Sequence, residues 1–243
     1  MVAQGYTALK FDPFGTAYKF LDRQEFNRSL ALVAAVRSSV GDSVDLLIEG
    51  HDRFSVETAV ELGCALAEYR PFWFETPVLS TSPTALAEVA RRVPVRVVAG
   101  ERQHRLSDFA ALLGTGTFDV LQPEIRNCGG VAGLCKVAAL AEAYDAYIAP
   151  HNAQSPLTTT VNTHIDAAIP NVLIQECFDD FLEPWTRDLI HGIARIENGF
   201  LVVPDGAGFG ISIDEAEAKR HPYGDRNFLR LFEPGWEFRG ARR

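Results

Sequence analysis

Six acidic or imidazole side chains each follow a short apolar run of the sequence. They recur at intervals of 23 to 27 residues and are Glu49, Glu75, Glu101, Glu124, His151 and Glu176. One carboxylate after a strand ordinarily caps the next helix or meets solvent. Several carboxylates in register would repel one another unless a cation lay among them. The pattern therefore favours a shared functional site.

The first three of these residues, Glu49, Glu75 and Glu101, offer only carboxylate oxygens as ligands. Hard oxygen donors without a required Cys or His suit Mg²⁺, which keeps several waters and contacts its substrate directly. Such an ion could hold the charge of an enolised carboxylate. The side chains nearby that could exchange protons are Lys10, His51 and His151. Together these residues indicate metal-assisted proton abstraction next to a carboxylate.

Strands and helices must alternate along the chain to bring these side chains together. Apolar runs rich in β-branched and aromatic residues predict seven strands, at 7–12, 44–51, 70–76, 95–101, 118–124, 146–152 and 171–177. Asp22 with Glu25, and Ser82 with Pro83, are typical helix starts. A further helix is predicted by apolar residues at helical spacing, which are Val131, Leu134, Ala138, Ala141 and Tyr144. A repeat of about 25 residues favours an α/β fold of the (β/α) barrel type, whose strand ends line one catalytic mouth.

Composition restricts the class of protein. Of 243 residues, 47% are hydrophobic and 23% are charged, which is typical of a globular chain. A net charge of −9 argues against nucleic-acid binding, which needs a basic face. No apolar stretch is long enough for a membrane span, no signal-peptide pattern is present, and the four cysteines lie far apart. The sequence predicts a cytoplasmic protein with neither a membrane nor a nucleic-acid partner.

Motifs in order along the chain resemble those of a known family. They are "ALKFDPFG", "LLIEGH", "FWFET", "AGER", "VLQPEIRNCGG", "APHN" and "LIQEC". The chain resembles the mandelate racemase-like branch of the enolase superfamily, and within it the sugar-acid dehydratases of galactonate-dehydratase type. Enolase-superfamily sites use a Lys or His base with Mg²⁺ on an enediolate. The resemblance implies a TIM-type barrel domain and a Mg²⁺ ion bound by Glu49, Glu75 and Glu101.

The same resemblance implies a role for each remaining site residue. His151 corresponds to the general base that removes the proton α to the carboxylate, and Glu124 to the acid that orients this base. His51 corresponds to the histidine that protonates the departing β-hydroxyl. Glu176 would hydrogen-bond the substrate carboxylate, and Lys10 would be an electrostatic partner of that carboxylate. The implied reaction is dehydration of an aldonate or aldarate, galactonate-like, to a 2-keto-3-deoxy acid.

Three positions depart from the pattern of the family. Asp12 stands where racemases have a second lysine, which favours a dehydratase with one base over a racemase with two. Glu124 stands where Asp is usual, and the extra methylene moves its carboxylate by about a bond length. Glu49 also replaces an Asp, without a change of ligand type or charge.

His104, after "GERQ", is either a substrate-specificity position or a surface histidine.

The extent of the resemblance leaves three hypotheses open. The chain opens at a segment like the second barrel strand of the family, which implies that the first strand and an N-terminal capping domain are missing. Residues 1–201 would then be the barrel domain, and residues 202–243 a tail that packs on such a capping domain. Its partners would be a small sugar acid and either a complementing N-terminal domain or further copies of the chain. The hypotheses are a dehydratase, another enolate enzyme such as a racemase or cycloisomerase, and a truncated inactive fragment.

Overall fold

Four parallel strands form the first sheet of the molecule. The computed structural model describes residues 1–222 and Gly224, in two units, of which the first comprises residues 1–98 and 115–118. The strands are β1 (Ala8–Phe11), β2 (Asp45–Glu49), β3 (Trp73–Glu75) and β4 (Val97–Val98). They pair in sequence order and in parallel, which places Glu49 opposite Glu75.

Three helices alternate with these strands, and two of them begin where the sequence predicts. They are α1 (Arg23–Val40), α2 (Val56–Leu66) and α3 (Pro83–Arg92). Asp22 and Glu25 form a capping box in which each side chain accepts a hydrogen bond from the other's backbone N–H. Ser82 accepts a hydrogen bond from the backbone N–H of Ala85, just ahead of Pro83. Both predicted helix starts are confirmed.

The middle strands of this sheet are buried on both faces, as parallel strands between helices should be. Fully buried strand and helix residues are Leu46, Ile48, Phe74, Val33, Leu62 and Leu86. Burying each such side chain contributes about 1.5–3 kcal/mol. The polar residues at the strand ends are therefore anchored on a packed core.

The second unit, residues 99–114 and 119–222 with Gly224, continues the alternation. Its elements include α4 (Leu106–Leu113), β5 (Val120–Leu121), α5 (Gly130–Glu142), β6 (Tyr147–Ile148) and α6 (Pro156–Asp166). Strands β5 and β6 pair in parallel, and Ala99 forms a parallel bridge with Leu121. Gly129 and Gly130 have φ of 101° and 71°, so the turn into α5 uses glycines where other residues would be strained.

The segment predicted as a seventh strand, 171–177, is not a regular strand. It forms one isolated parallel bridge, between Val172 and Ile148. Further along, the side-chain amide of Gln175 donates to the backbone oxygen of Pro150 at 3.0 Å. A side-chain hydrogen bond thus replaces the continued backbone pairing of a strand. The apolar pattern of the segment did not predict this difference.

Helix α5 is confirmed, but two of the residues predicted for its apolar face, one at each end, are exposed. Leu134, Ala138 and Ala141 are buried as predicted. Val131 is 41% exposed and Tyr144 is 51% exposed. Val131 lies in the first turn, and Tyr144 lies beyond the last helical residue, Glu142, so neither reaches the packed side of the helix.

Short antiparallel pairs follow α6. The remaining elements are α7 (Trp185–Asp188), β7 (Ile190–His191), β8 (Arg195–Glu197), β9 (Phe200–Val202), β10 (Ser212–Ile213), α8 (Glu215–Arg220) and the 3₁₀ turns Val2–Gln4, Ala67–Tyr69 and Asp179–Phe181. β7 pairs with β10, and β8 pairs with β9. The division into a barrel domain and a tail at residue 202 stays a prediction, and Tyr223 and residues 225–243 of that tail lie outside the described residues. Among the residues that are described, no helix has the length and apolar character to cross a membrane.

Candidate active site

Two buried carboxylates face each other at the ends of neighbouring strands in the first unit. Glu49 ends β2, Glu75 ends β3, and the two residues are paired in the sheet. Glu49 is 2% exposed and Glu75 is 0% exposed. Carboxylate oxygens of the two lie within 4.8 Å of one another. The Nζ atom of Lys10 lies 3.0 Å from Glu75 Oε1 and 3.5 Å from Glu49 Oε2. The first unit thus brings these three predicted residues together.

The donor set of Glu49 and Glu75 fits a hard divalent cation. Two charged carboxylates at this separation repel each other, and a cation relieves that repulsion. The ammonium group of Lys10 supplies one positive charge. Buried oxygen donors without sulfur or nitrogen are the ligands that Mg²⁺ prefers.

Neighbouring polar groups fix the orientation of each carboxylate. The Thr76 hydroxyl donates to Glu49 Oε1 at 2.6 Å, and the backbone N–H of His51 donates to the same oxygen at 2.8 Å. The indole N–H of Trp73 donates to Glu75 Oε2 at 3.2 Å. Trp73 is buried in the core and also holds a candidate ligand. Thr76 has a φ of 35°, which is unusual for a β-branched residue and marks a strained site.

His51 lies two residues beyond Glu49, in a turn with left-handed backbone. The φ angles of His51 and Asp52 are 52° and 61°. The carboxylate of Asp52 accepts hydrogen bonds from the backbone N–H and the hydroxyl of Ser80, at 3.0 and 2.8 Å. Nδ1 of His51 lies 2.6 Å from Oδ2 of Asp12. His51, the predicted proton donor, therefore has its Nδ1 atom in contact with the carboxylate of Asp12.

In the second unit, His151 lies among three carboxylates. Its Nδ1 is 2.9 Å from Glu124 Oε2, and its Nε2 is 2.9 Å from Glu101 Oε2. The same Nε2 is 3.9 Å from Glu176 Oε2. His151 and Glu124 also form a parallel backbone bridge, which fixes the spacing of the pair. The second unit thus brings four of the predicted residues together.

Glu124 is held in its charged form by its neighbours. Burial raises the pKa of its carboxyl, but the hydrogen bond with His151 and the bonds and charge of Arg126 outweigh burial and hold that pKa below its usual value. Arg126 places its backbone N–H and its Nε–H each 3.2 Å from Glu124 Oε1. Although Glu stands where Asp is usual, its carboxylate reaches His151.

The carboxylate of Glu176 is held by a buried network. The backbone N–H of Asn152 donates to Glu176 Oε2 at 2.8 Å. The side-chain amide of Asn152 donates to the Thr159 hydroxyl at 2.7 Å, and this hydroxyl donates to Asp179 Oδ1 at 2.7 Å. Burial raises the pKa of Asp179 despite the hydrogen bond from Thr159. Glu176 is therefore oriented by the residue that directly follows His151.

Three supporting side chains were not predicted from the sequence: Thr76, Arg126 and Asn152. Each follows a predicted site residue by one or two positions, and this adjacency within the quoted motifs is the signal that could have found them. His104, by contrast, is exposed, and its backbone N–H donates to Asp108 at 3.2 Å. Its place in the structure favours a surface histidine.

Comparisons with known proteins agree with the motifs. The profile of the family described as Enolase C-terminal domain-like matches residues 1–217. D-gluconate dehydratase of Thermoproteus tenax is 37% identical over 248 residues, which cover 99% of this chain and 48% of the relative. D-gluconate/D-galactonate dehydratase of Picrophilus torridus is 34% identical over 240 residues, which cover 99% and 61%. The chain thus spans about half to three-fifths of the length of these relatives.

Solved structures match the fold over nearly the whole chain. A mandelate racemase/muconate lactonizing enzyme from Sulfitobacter sp. is 39% identical with a TM-score of 0.86, covering 96% of this chain and 58% of that one. A mandelate racemase/muconate lactonizing enzyme-like protein from Roseovarius sp. TM1035 is 36% identical with a TM-score of 0.87, covering 96% and 59%. These matches confirm the predicted fold class, a (β/α) barrel domain of the enolase superfamily.

Proposed function

The chain belongs to the enolase C-terminal domain-like family, and on this premise we propose that its site dehydrates a sugar acid. The substrate class is an aldonate or aldarate, and the product is a 2-keto-3-deoxy acid. Relatives named D-gluconate dehydratase and D-gluconate/D-galactonate dehydratase, each matched over 99% of this chain, support the proposal. The observation that carries it is the contact of His151 Nδ1 with Glu124, because this contact makes His151 an oriented base.

Glu49, Glu75 and Glu101 are the proposed ligands of Mg²⁺. The burial and the oxygen spacing of Glu49 and Glu75 support the first two, and the position of Glu101 shortly after β4 supports the third. A Mg²⁺ ion bound there would stabilise the negative charge of an enolised carboxylate. The protein's own part is to hold the ligand oxygens, as Thr76 does for Glu49 and Trp73 does for Glu75.

His151 is the proposed group that removes the α-proton. With Nδ1 2.9 Å from Glu124 Oε2, the ring keeps a proton on Nδ1. Nε2, which lies 2.9 Å from Glu101 Oε2 in this structure, is the nitrogen that would take the α-proton. Glu124 then stabilises the imidazolium that forms when Nε2 takes the proton. The lowered pKa of Glu124 keeps this carboxylate charged throughout the neutral range.

Loss of the β-hydroxyl completes the reaction. The electron pair of the broken α C–H bond becomes the new C=C bond, and the bond from the β-carbon to its hydroxyl oxygen breaks. His51 gives a proton to that oxygen, which leaves as water, and the resulting enol tautomerises to the 2-keto-3-deoxy acid. Lys10 and Glu176 interact with the substrate carboxylate. The hydrogen bond from the backbone N–H of Asn152 orients the side chain of Glu176.

A product assay with matched variants tests this function. The protein is incubated with Mg²⁺ and a panel of aldonic and aldaric acids, and 2-keto-3-deoxy acids are measured. We expect His151→Ala to lower turnover by about 10³-fold or more. His191→Ala, at an exposed position of β7, should leave turnover unchanged. Equal turnover in both variants would contradict the assignment of the base. Exchange of the α-proton without loss of water would instead favour racemisation or cycloisomerisation.

A further inference from the structure

Asp12, immediately after β1, is bound through both of its carboxylate oxygens. Oδ1 accepts a hydrogen bond from the backbone N–H of Phe14 at 2.9 Å and another from Nη2 of Arg53. Oδ2 lies 2.6 Å from Nδ1 of His51. The side chain is only 5% exposed, so water hardly competes for these contacts. The orientation of this carboxylate is therefore determined by the protein.

Arg53 is the rigid partner in this cluster. It is 1% exposed, and it donates from Nε to the backbone oxygen of Gly50 at 3.1 Å and from Nη1 to that of Gly15 at 2.7 Å. The guanidinium carbon also lies 5.6 Å from the centroid of the Phe14 ring. Since these contacts fix the guanidinium, Asp12 must take the orientation that Arg53 imposes.

The backbone of His51 is constrained as firmly. His51 and Asp52 both have left-handed φ angles, 52° and 61°. The N–H of His51 donates to Glu49 Oε1 at 2.8 Å, and the N–H of Asp52 donates to the backbone oxygen of Thr76 at 2.8 Å. The main chain therefore leaves only the side-chain rotation of His51 to be set, and the contact with Asp12 sets it.

We propose that Asp12 is a positioning residue for His51, which keeps the proton on Nδ1 so that Nε2 is the nitrogen that protonates the departing β-hydroxyl. This inference rests on the proposed dehydration. In that step the imidazolium form of His51, with a proton on each ring nitrogen, gives its Nε2 proton to the β-oxygen and keeps the proton on Nδ1. The bond from carbon to that oxygen breaks with both electrons going to the departing water. Asp12 exchanges no atom with the substrate. It determines which ring nitrogen of His51 donates the proton. This role would account for an acid at position 12, where racemases have a second lysine.

A purely structural role for Asp12 makes a different prediction. As a counter-ion for buried Arg53, Asp12 would contribute to folding, because a buried charge without a partner is unfavourable. Its replacement would then weaken every reaction of the site to the same extent. A positioning role predicts instead a defect confined to proton donation by His51.

The tautomer of His51 tests the inference without any turnover. In protein labelled with ¹⁵N-histidine, the His51 signals are identified by their loss in His51→Gln and are followed as the pH is raised until they no longer change. We expect the Nδ1–H tautomer in the wild type and in Asp45→Asn, which changes an exposed Asp of β2. Asp12→Asn should shift the signals towards the Nε2–H tautomer. An Nε2–H tautomer in the wild type would overturn the proposal, and this result needs no variant of Asp12 to fold.

Two leaving groups separate proton donation from the rest of the reaction. Fluoride leaves carbon without needing a proton, so loss of fluoride from a β-fluoro analogue of the sugar acid needs no general acid. For Asp12→Asn we expect the rate of water loss to fall by about 10- to 1,000-fold, within the usual contribution of a general acid. Fluoride loss and KM should stay within about threefold of the wild type. If Asp12→Asn slowed the release of water and of fluoride equally, or left the rate of water release unchanged, the positioning role would be overturned.

Failure of the proposed function gives a distinct result. A wild-type protein that releases neither water nor fluoride from any sugar acid tested would speak against dehydration. The tautomer of His51 would still decide the role of Asp12, with Nδ1–H in the wild type supporting it and Nε2–H contradicting it.

Discussion

Both histidines of the proposed site have Nδ1 against a carboxylate. The partner of His51 is Asp12, at 2.6 Å, and the partner of His151 is Glu124, at 2.9 Å. Such a contact favours the tautomer with its proton on Nδ1, and in His151 the other ring nitrogen, Nε2, lies 2.9 Å from Glu101 Oε2. The resemblance to the family implied an orienting acid for His151 alone. The structure adds an equivalent contact for the second histidine.

Glu124→Gln should preserve the shape of the contact between His151 and residue 124 and remove the negative charge of Glu124. The amide keeps a similar length, but its NH₂ group can turn to Nδ1 and favour the wrong tautomer of His151. We expect kcat for water loss to fall by about 10²- to 10⁴-fold with little change in KM. Steady-state kinetics of this variant would be compared with Glu142→Gln, an exposed position of α5. Equal kinetics of the two variants would argue against a role for Glu124.

Thr76→Val should weaken Mg²⁺ binding. The change removes the hydroxyl that donates to Glu49 Oε1 at 2.6 Å and keeps the volume and branching of the side chain. Loss of a bond that orients a ligand typically lowers metal affinity by about 10- to 100-fold. Calorimetric titration with MgCl₂ measures the effect, and Thr84→Val, at an exposed position of α3, is the control. Unchanged affinity in Thr76→Val would separate Thr76 from the metal site.

Residues at the strand ends could be predicted from the sequence, whereas the geometry of their supporting contacts could not. Glu49 and Glu75 follow apolar runs that any reading of the pattern would find. The bond from Thr76 to Glu49 depends on a φ of 35° at Thr76 and on the register of two strands. Local propensity specifies neither of these, because both follow from the packing of the whole sheet.

At the scale of elements, predictions held where the signal was local. The capping box of α1 depends on two residues three positions apart, Asp22 and Glu25, and forms as expected. The segment 171–177 has the composition of a strand, but it meets β6 at a single bridge. The strand that it meets, β6, spans only Tyr147–Ile148.

Helix α6 ends on an acid, Asp166, whose carboxylate oxygens are buried and which should make stability depend on pH. Burial raises the pKa of Asp166 from 3.8 to about 7. Among the described residues, neither carboxylate oxygen of Asp166 has a hydrogen-bond partner, and the same is true of the amide atoms of Asn162 one turn earlier. Folding therefore favours the protonated acid. The contribution of Asp166 to stability should be most favourable below its unfolded pKa, should fall as the pH rises from about 4 to 7, and should then level off.

Asp166→Asn removes this penalty and should flatten the pH dependence. We expect its melting temperature to exceed that of the wild type by several degrees at pH 8 and by much less at pH 4.5. Thermal melts followed by circular dichroism at both pH values measure the difference. Asp145→Asn, at an exposed position, should behave as the wild type at both. A constant offset between Asp166→Asn and the wild type would contradict the raised pKa.

At the scale of the whole molecule, the predicted site residues are distributed over both units. Lys10, His51 and two candidate ligands belong to the first unit, whereas His151 and Glu101 belong to the second. The chain also spans only 48% of the length of the Thermoproteus tenax dehydratase and 61% of that of the Picrophilus torridus dehydratase. Binding of one ion by ligands of both units is therefore a proposal that must be tested on the protein as a whole.

Mg²⁺ should stabilise the protein through all three proposed ligands. At a concentration of 100 times its Kd, an ion that binds only the native state contributes about 2.7 kcal/mol. For a chain of this size that corresponds to a rise in melting temperature of about 5–10 °C. Glu75→Gln and Glu101→Gln should each lose the rise, while Glu61→Gln, exposed on α2, should keep it. A rise that persists in Glu101→Gln would remove this residue from the ligand set.

The most direct test of the proposed chemistry is a proton NMR spectrum of the reaction in D₂O, with Mg²⁺ and a sugar acid that the protein turns over. Abstraction of the α-proton, loss of the β-hydroxyl and tautomerisation predict a 2-keto-3-deoxy acid that carries deuterium at C3, and this product should not form with His151→Ala. Recovery of the starting acid with deuterium at C2 and no keto acid would show that the site forms an enolate without eliminating water, and would contradict the assignment as a dehydratase.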